Sequence, residues 1–227
     1  MHSCLSSFCT LYSVVVDKMR IAIIGGNLDS LILSHILLDH DDFEIYIFEE
    51  RAEIGFPVIG SGLLINHPKY LEYLKSWISN MTISPNLVND KGMIFHRGWL
   101  EKDLALSLLS RGGNISVRTF TNIDSQNTIS LKGAGGTEKI WNGDLIIDCS
   151  LIINHSLIGV FSNYEVNNGW KRSDDIWESW HSSSSDIPEN SIEIISTNAK
   201  SFDTNTIDYS FQTAKDKFQS IVNSNDK

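Results

Sequence analysis

The alternation of apolar and polar residues follows a regular order after residue 18. Ile21–Ile24 is a short unbroken apolar run, which is typical of a strand buried on both faces of a parallel sheet. Gly25-Gly26 ends this run, and apolar residues then recur at helical spacing over Asp29–Leu38. A second strand-like run, Glu44–Phe48, follows. Strand, glycine turn, helix and strand in this order predict a βαβ unit with a right-handed crossover.

The same two periods predict further elements towards the carboxyl terminus. Helical spacing recurs in three segments: Tyr70–Ile78, Leu100–Ser110 and Thr213–Val222. Apolar or alternating runs predict five more strands: Ile115–Phe120, Thr128–Leu131, Glu138–Trp141, Asp144–Asp148 and Ile192–Ser196. Asp144–Asp148 is expected to be a buried strand. Beyond Cys149 the sequence is rich in Ser and Asn, so only one strand and one helix are predicted there.

Composition and charge exclude several classes of function. Lys and Arg number 18 against 28 Asp and Glu, and the net charge of −10 disfavours binding to nucleic acid or to anionic lipid. No run approaches the roughly 20 apolar residues of a transmembrane helix. Three cysteines and seven scattered histidines form neither a disulfide framework nor a metal-ligand pattern. These features favour a reducing, cytoplasmic setting and a small-molecule ligand.

The first strand–helix turn is the candidate binding site, because such turns hold the pyrophosphate of a dinucleotide on backbone amides. The fingerprint of these turns has glycine at the first, third and sixth positions, and Gly25, Asn27 and Ser30 stand there in this chain. Gly25 suits the tight turn, and Asn27 tolerates a left-handed backbone better than most residues. Asp29 places a carboxylate near the expected pyrophosphate and should weaken anion binding.

Glu49 supports a dinucleotide site at this turn. It follows the second predicted strand, 24 residues beyond Gly25, where an acid accepts hydrogen bonds from the adenosine ribose. An acid at this position favours the unphosphorylated ribose of FAD or NAD over that of NADP.

Three regions are therefore expected. Residues 1–18 lack a basic start and a small-residue cleavage site, so a secretory signal is disfavoured and we expect a disordered extension before a native start at Met19. Residues 19–160 are predicted to form an α/β, three-layer Rossmann-type domain with a parallel sheet that binds FAD or NAD(P). Residues 161–227 are expected to be a small C-terminal remnant that is partly flexible.

The segment after Glu49 resembles a known flavoprotein family. Residues 49–63, EERAEIGFPVIGSGL, resemble the run E-K-R-x-E-I-G-x-P-V-x-C-x-G-L of geranylgeranyl reductases and the related archaeal digeranylgeranylglycerophospholipid reductases. The matching residues are Glu49, Arg51, Glu53, Ile54, Gly55, Pro57, Val58, Gly62 and Leu63. Arg97–Glu101 resembles the R-x-x-F-D that opens a family helix, and Gly143–Ser150 resembles the family strand ending in D-C-S-G.

The resemblance covers about residues 19–151 and implies FAD as the cofactor, with reduction of isoprenoid double bonds as the activity. NAD is the alternative ligand, because Glu49 would serve its ribose equally well. Together the turn and the resemblance predict these cofactor-binding residues: Gly25, Gly26, Asn27, Ser30, Glu49, Arg51, Pro57, Gly62, Arg97 and Asp148. No catalytic residue is assigned.

Departures from the family pattern leave three hypotheses open. Gly60 stands where the family has a cysteine beside the flavin, Leu151 replaces a glycine, and no G-D-A-A-G-type segment occurs in residues 152–227. The chain is then an FAD-dependent oxidoreductase of this type, a non-catalytic binding or partner module, or an NAD-binding oxidoreductase. We also expect that a protein partner could supply the missing substrate domain.

Overall fold

The computed structural model describes residues 18–40, 43–89, 92–150, 157–183, 187–197, 199 and 201–225. Nearly all of the expected N-terminal extension, and Leu151, therefore lie outside the described residues.

The predicted βαβ unit is confirmed as the centre of a four-stranded parallel sheet. Its strands are β1 (Met19–Ile24), β2 (Phe43–Phe48), β6 (Asn114–Ser116) and β10 (Leu145–Asp148), arranged in the order β10-β1-β2-β6. Helix α1 (Leu28–Leu38) connects β1 to β2. Ile21 pairs with Ile45 on one side and with Leu145 on the other. The α/β fold with a parallel sheet, predicted from the apolar runs, is thus observed.

Both faces of this sheet are covered, which gives three layers. Helices α1, α2 (His67–Trp77), α3 (Arg97–Ser110) and α4 (Ile207–Asn225) contribute to one apolar core with the isoleucines of β1 and β2. An antiparallel meander covers the other face and consists of β7 (Thr119–Ser125), β8 (Thr128–Gly133) and β9 (Glu138–Asn142). Ile129 and Trp141 of the meander pack against Ala22, Ile24 and Phe48. Because successive side chains of a strand point to opposite faces of the sheet, β1 and β2 each contribute residues to both cores.

Two further antiparallel sheets complete the described structure. The small one contains β3 (Leu63–Leu64), β4 (Asn86–Leu87) and β5 (Met93–Ile94). The larger one has the order β12-β13-β11-β14 and contains β11 (Leu157–Ser162), β12 (Trp170–Lys171), β13 (Trp177–His181) and β14 (Glu193–Thr197). Only β14 of this larger sheet was predicted. Gly159 interrupts the apolar pattern of β11, and in the structure Trp180 and Ile195 from the neighbouring strands cover it.

Two sequence expectations need correction. Strand β10 was predicted to be buried, but it lies at the edge of the parallel sheet and Leu145–Ile147 are only partly buried. Helix α4 begins at Ile207 rather than near residue 213, because the Thr206 hydroxyl accepts a hydrogen bond from the Tyr209 amide at 3.3 Å. Phe211 and Ala214 of α4 lie in the same core as α1. The C-terminal region thus helps to build the helical layer, while a domain boundary near residue 160 remains a proposal.

No helix among the described residues combines the length and apolar character that crossing a bilayer requires.

One buried histidine makes the stability of this helical layer depend on pH. The His35 ring is fully buried, its Nε2 lies 3.0 Å from the Leu104 carbonyl oxygen, and Arg111 donates to its Nδ1 at 2.7 Å. Burial lowers the pKa of His35 from 6.5 to about 4. Between these two values the unfolded chain binds a proton that the folded protein does not, so folding stability is full above pH 6.5 and falls towards pH 4.

We expect the free energy of unfolding of the wild type to lose about 3 kcal/mol from this group over that pH range. His35→Gln should remove this pH dependence, whatever its effect on absolute stability, and His40→Gln on the exposed end of the same segment should retain it. Denaturant unfolding at a series of pH values between 4 and 6.5 measures the free energy of unfolding. The same dependence of that free energy on pH in the wild type and in His35→Gln would contradict the prediction.

Candidate functional site

A cleft with two cavities lies where the parallel strands end. The larger cavity, of about 520 Å³, is lined by the β1–α1 turn, the end of β2 and the start of the meander. The smaller one, of about 260 Å³, lies between the start of α1 and the turn that precedes α4. Asn27 and Ile59 line both cavities. The carboxyl edge of a parallel sheet is where α/β folds bind their ligands, so this cleft is the candidate site.

Gly25 makes the tight turn that opens the cleft. Its φ is +93°, and a Cβ there would lie 2.8 Å from the Cys149 carbonyl oxygen. Its amide donates to the Phe48 carbonyl at 2.8 Å, which joins the turn to the end of β2. Only glycine satisfies both constraints.

Asn27 uses its side chain inside the turn. Its Oδ1 caps α1 by accepting from the Ser30 amide at 3.1 Å, and its Nδ2 donates to the Cys149 carbonyl at 2.6 Å. Its φ of −86° is extended, so the tolerance of asparagine for a left-handed backbone is not what places it here. Ser30 is fully buried, and its hydroxyl donates to the Asn27 carbonyl. The Asn27 side chain therefore bridges α1 and β10 at the junction of the two cavities.

Glu49 is the buried acid of the larger cavity. It is 4% exposed, and its Oε2 accepts from the Gly26 amide at 2.6 Å and from the Arg51 guanidinium at 2.9 Å. Its Oε1 accepts from the Arg51 amide at 2.7 Å. Burial acts to raise the pKa of Glu49, but these hydrogen bonds outweigh it and lower that pKa. A carboxylate has about four acceptor positions, so one position on Oε1 is left for a ligand hydroxyl.

The remaining walls of the larger cavity are mixed. Phe48, Pro57 and Phe120 supply apolar surface, and Thr119, Thr121 and Ser150 supply hydroxyls. Phe120 is 50% exposed, so it is the aromatic residue of this cavity that a ligand could contact.

The smaller cavity contains an arginine and an unpaired amide. Arg97 is buried, and it binds Glu101 at 2.6 Å and the Ser61 carbonyl at 2.9 Å. A Cβ on Gly60 would lie 3.1 Å from its guanidinium, so Arg97 occupies the space into which the family's cysteine would project. Asn205 is 5% exposed, and its Nδ2 has no hydrogen-bond partner among the residues that the structure describes.

Besides the fully buried Ser30, three predicted site residues take other roles in this structure. Gly26 lies beneath the cleft, where a Cβ would meet the Ile54 side chain at 2.2 Å. Gly62 donates its amide to the buried Glu178 carboxylate at 2.9 Å. Asp148 accepts from the Ser150 amide and lines a separate cavity beside Asp144. The cleft itself brings together Gly25, Asn27, Glu49, Arg51, Pro57 and Arg97. Cofactor contacts by any of these residues remain predictions.

Several residues of the cleft were not predicted from sequence. They are Ile59, Phe120, Ser150, Thr197, Asn205 and Ser210. For Asn205 and Ser210 a signal existed, since Thr206-Ile207-Asp208 has the N-cap and acidic first turn of a helix start. Phe120 was assigned to a strand, but nothing in the local pattern places the meander beside Glu49.

Two solved structures share this architecture. A flavoprotein/dehydrogenase from Cytophaga hutchinsonii matches with a TM-score of 0.54 and 12% identity, over 72% of this chain and 55% of that one. A geranylgeranyl bacteriochlorophyll reductase-like protein from Thermoplasma acidophilum matches with a TM-score of 0.53 and 12% identity, over 73% and 57% of the two chains. The chain shares the α/β fold with a parallel sheet of these proteins. It spans little more than half the length of these proteins, and identities this low show the fold alone. No protein-family model and no curated protein matches the chain.

FAD fits one half of the cleft and not the other. The larger cavity offers a buried acid with an open acceptor position and an exposed aromatic ring, which suit ribose and adenine. The diphosphate would lie at the start of α1, where the Ser30 amide already donates to the Asn27 side chain and Asp29 adds a negative charge. The residues present therefore fit an adenosine group, and they do not fit the diphosphate of FAD.

Replacing Glu49 should destabilise the fold even without a ligand. Glu49→Ala leaves the buried Gly26 amide without its acceptor and frees the Arg51 guanidinium. We expect a loss of about 2–3 kcal/mol in the free energy of unfolding and a fall in Tm of roughly 4–12 °C. The exposed Glu50→Ala should stay within about 0.5 kcal/mol of the wild type. Thermal and denaturant unfolding compare the two, and equal losses would contradict the hydrogen-bonding role of Glu49.

Proposed function

We propose that this chain is a flavoprotein-fold domain that binds an adenosine ligand in the larger cavity and does not catalyse flavin-linked reduction on its own. The observation that carries the proposal is the Glu49 carboxylate, which lines the cavity at the end of β2 with one acceptor position open. An acid at the end of the second strand is the group that selects an unphosphorylated adenosine ribose in dinucleotide folds.

The lowered pKa of Glu49 supports this role. Arg51 and the Gly26 amide keep the carboxylate ionised in a buried place, so it is an acceptor in any ordinary buffer. A hydroxyl that donates to an ionised acceptor forms a stronger bond than one that donates to a neutral group. The fixed position of Glu49 also spares the ligand the entropic cost of ordering it.

A second candidate is FAD-dependent reduction of isoprenoid double bonds. The run Glu49–Leu63 favours it, as does the shared fold with the reductase-like protein from Thermoplasma acidophilum. FAD would bring hydride chemistry, and the chain would bring the ribose acid Glu49 and the buried Arg97. Both this candidate and NAD-linked oxidation require a diphosphate to bind beside Asn27 and Asp29. A protein partner would have to supply the parts of the longer flavoproteins that this chain does not span.

The ribose contact can be tested by changing residue and ligand together. The wild type should bind adenosine about tenfold more tightly than 2′,3′-dideoxyadenosine, because one charge-assisted hydrogen bond is lost. In Glu49→Gln this ratio should fall close to one, and in Glu50→Gln it should persist. Calorimetric titration of the wild type and of each variant with both ligands gives the affinities from which the ratio is calculated. The ratio removes general effects of the substitution on folding, and a ratio unchanged in Glu49→Gln would overturn the assignment of Glu49.

Phe120 provides an independent test of the adenine position. Phe120→Ala removes the exposed ring that lines the larger cavity and should weaken adenosine binding by about 1–3 kcal/mol, as for other bases stacked on aromatic side chains. Ile140→Ala is the matched control, because Ile140 is 69% exposed on the same meander and does not line this cavity. Equal adenosine affinities for both variants would place the base elsewhere.

A further inference from the structure

We propose that the cleft selects adenosine ligands with an uncharged or cationic 5′ substituent and that Asn27 and Asp29 reject a 5′-diphosphate. The inference rests on the proposed adenosine site and names its ligand class. The 5′ carbon of a ribose bound at Glu49 points along the cleft towards the glycine turn in dinucleotide folds. Asn27 stands at that turn, where the two cavities join.

Three amides of this turn are already bonded within the protein. Gly25 donates its amide to the Phe48 carbonyl, and Gly26 donates to Glu49. The Ser30 amide, in the first turn of α1, donates to the Asn27 side chain. The same side chain is fixed from the other end by its bond to the Cys149 carbonyl. A diphosphate that used the Ser30 amide would have to displace the Asn27 side chain.

The charges that line the cleft also oppose a dianion. Among the described residues that line the two cavities, the carboxylates are Asp29, Glu49 and Glu50, and the guanidinium groups are Arg51 and Arg97. Each arginine is already paired with a buried carboxylate, at 2.9 Å to Glu49 and at 2.6 Å to Glu101. Asp29 forms no ion pair with any residue that the structure describes. A cationic 5′ group would therefore find a partner in Asp29, and a diphosphate would meet repulsion.

The smaller cavity offers a place for the 5′ substituent itself. Its volume of about 260 Å³ limits the size of that group. Asn205 lines it, and its buried side-chain nitrogen has no acceptor among the described residues. A buried donor without a partner costs free energy, and a hydroxyl, ether or carbonyl oxygen on the ligand would satisfy it. Asp29 and Asn205 together thus define the chemistry of the substituent as polar and not anionic.

Helix capping is the competing explanation for Asn27 and Asp29, because both residue types stabilise the start of a helix. Capping predicts a loss of stability on substitution, and it predicts no change in the preference between ligands. Ligand preference therefore separates the two roles.

The experiment titrates the full chain with adenosine, 5′-amino-5′-deoxyadenosine, ADP and FAD by calorimetry. In the wild type we expect the amino compound to bind at least as well as adenosine, and ADP and FAD to bind at least about tenfold more weakly, or about 1.4 kcal/mol. Asp29→Asn should restore ADP by a similar factor and remove the preference for the amino compound. Asp216→Asn, on the exposed face of α4, should change none of these. Added salt should narrow the gap between adenosine and ADP in the wild type.

Asn27→Gly provides a second variant, since it restores the glycine at the third position of the fingerprint and should raise ADP and FAD affinity. ADP or FAD binding as tight as adenosine binding in the wild type would overturn the inference and leave the adenosine site standing. An ADP affinity unchanged by Asp29→Asn would overturn it as well. Absence of adenosine binding would overturn the proposed function, and the ligand class with it.

Discussion

A single buried carboxylate holds the carboxyl edge of the parallel sheet together. Glu49 follows β2, binds the amide of the β1–α1 turn, and binds both the amide and the guanidinium of Arg51. These bonds place the turn beside the strand end and keep the pKa of the acid low despite its burial. The larger cavity exists because this arrangement leaves the sheet edge open between the turn and the meander. A buried charge of this kind is tolerated only when it is almost fully hydrogen-bonded.

The hydrogen bonds within the β1–α1 turn also explain why this site differs from a diphosphate site. A turn that binds a diphosphate keeps its amides unpaired inside the protein, so the ligand completes them. Here the Gly25 and Gly26 amides have acceptors within the chain, and Asn27 supplies one for Ser30. Three amides of the turn therefore have acceptors within the chain and are not available to an anion. The space beside Gly60 is filled as well. The Arg97 guanidinium lies where a side chain at position 60, such as the cysteine of the geranylgeranyl reductases that the sequence resembles, would project.

Much of the fold follows from local pattern, and most of the cleft does not. The apolar runs of β1 and β2 and the spacing of α1 predict the βαβ unit, since a strand buried on both faces has a continuous apolar sequence. Glu49 is identified by its distance along the chain from Gly25. Phe120 and Asn205 are not, because long-range pairing of the meander and packing of α4 on α1 bring them to the site. Strand β13 was missed for a related reason: Glu178 and Ser179 are fully buried through polar partners, so their sequence gives no apolar signal.

The central claim is that the chain shares the fold of longer flavoproteins, and that, as we propose, its cleft accepts adenosine without the rest of a dinucleotide. The most direct measurement is the flavin content of the full chain purified in its native state, read from visible absorption after gel filtration, before and after incubation with FAD. The account predicts a colourless protein in both cases. A yellow protein that keeps one FAD per chain through gel filtration would contradict it.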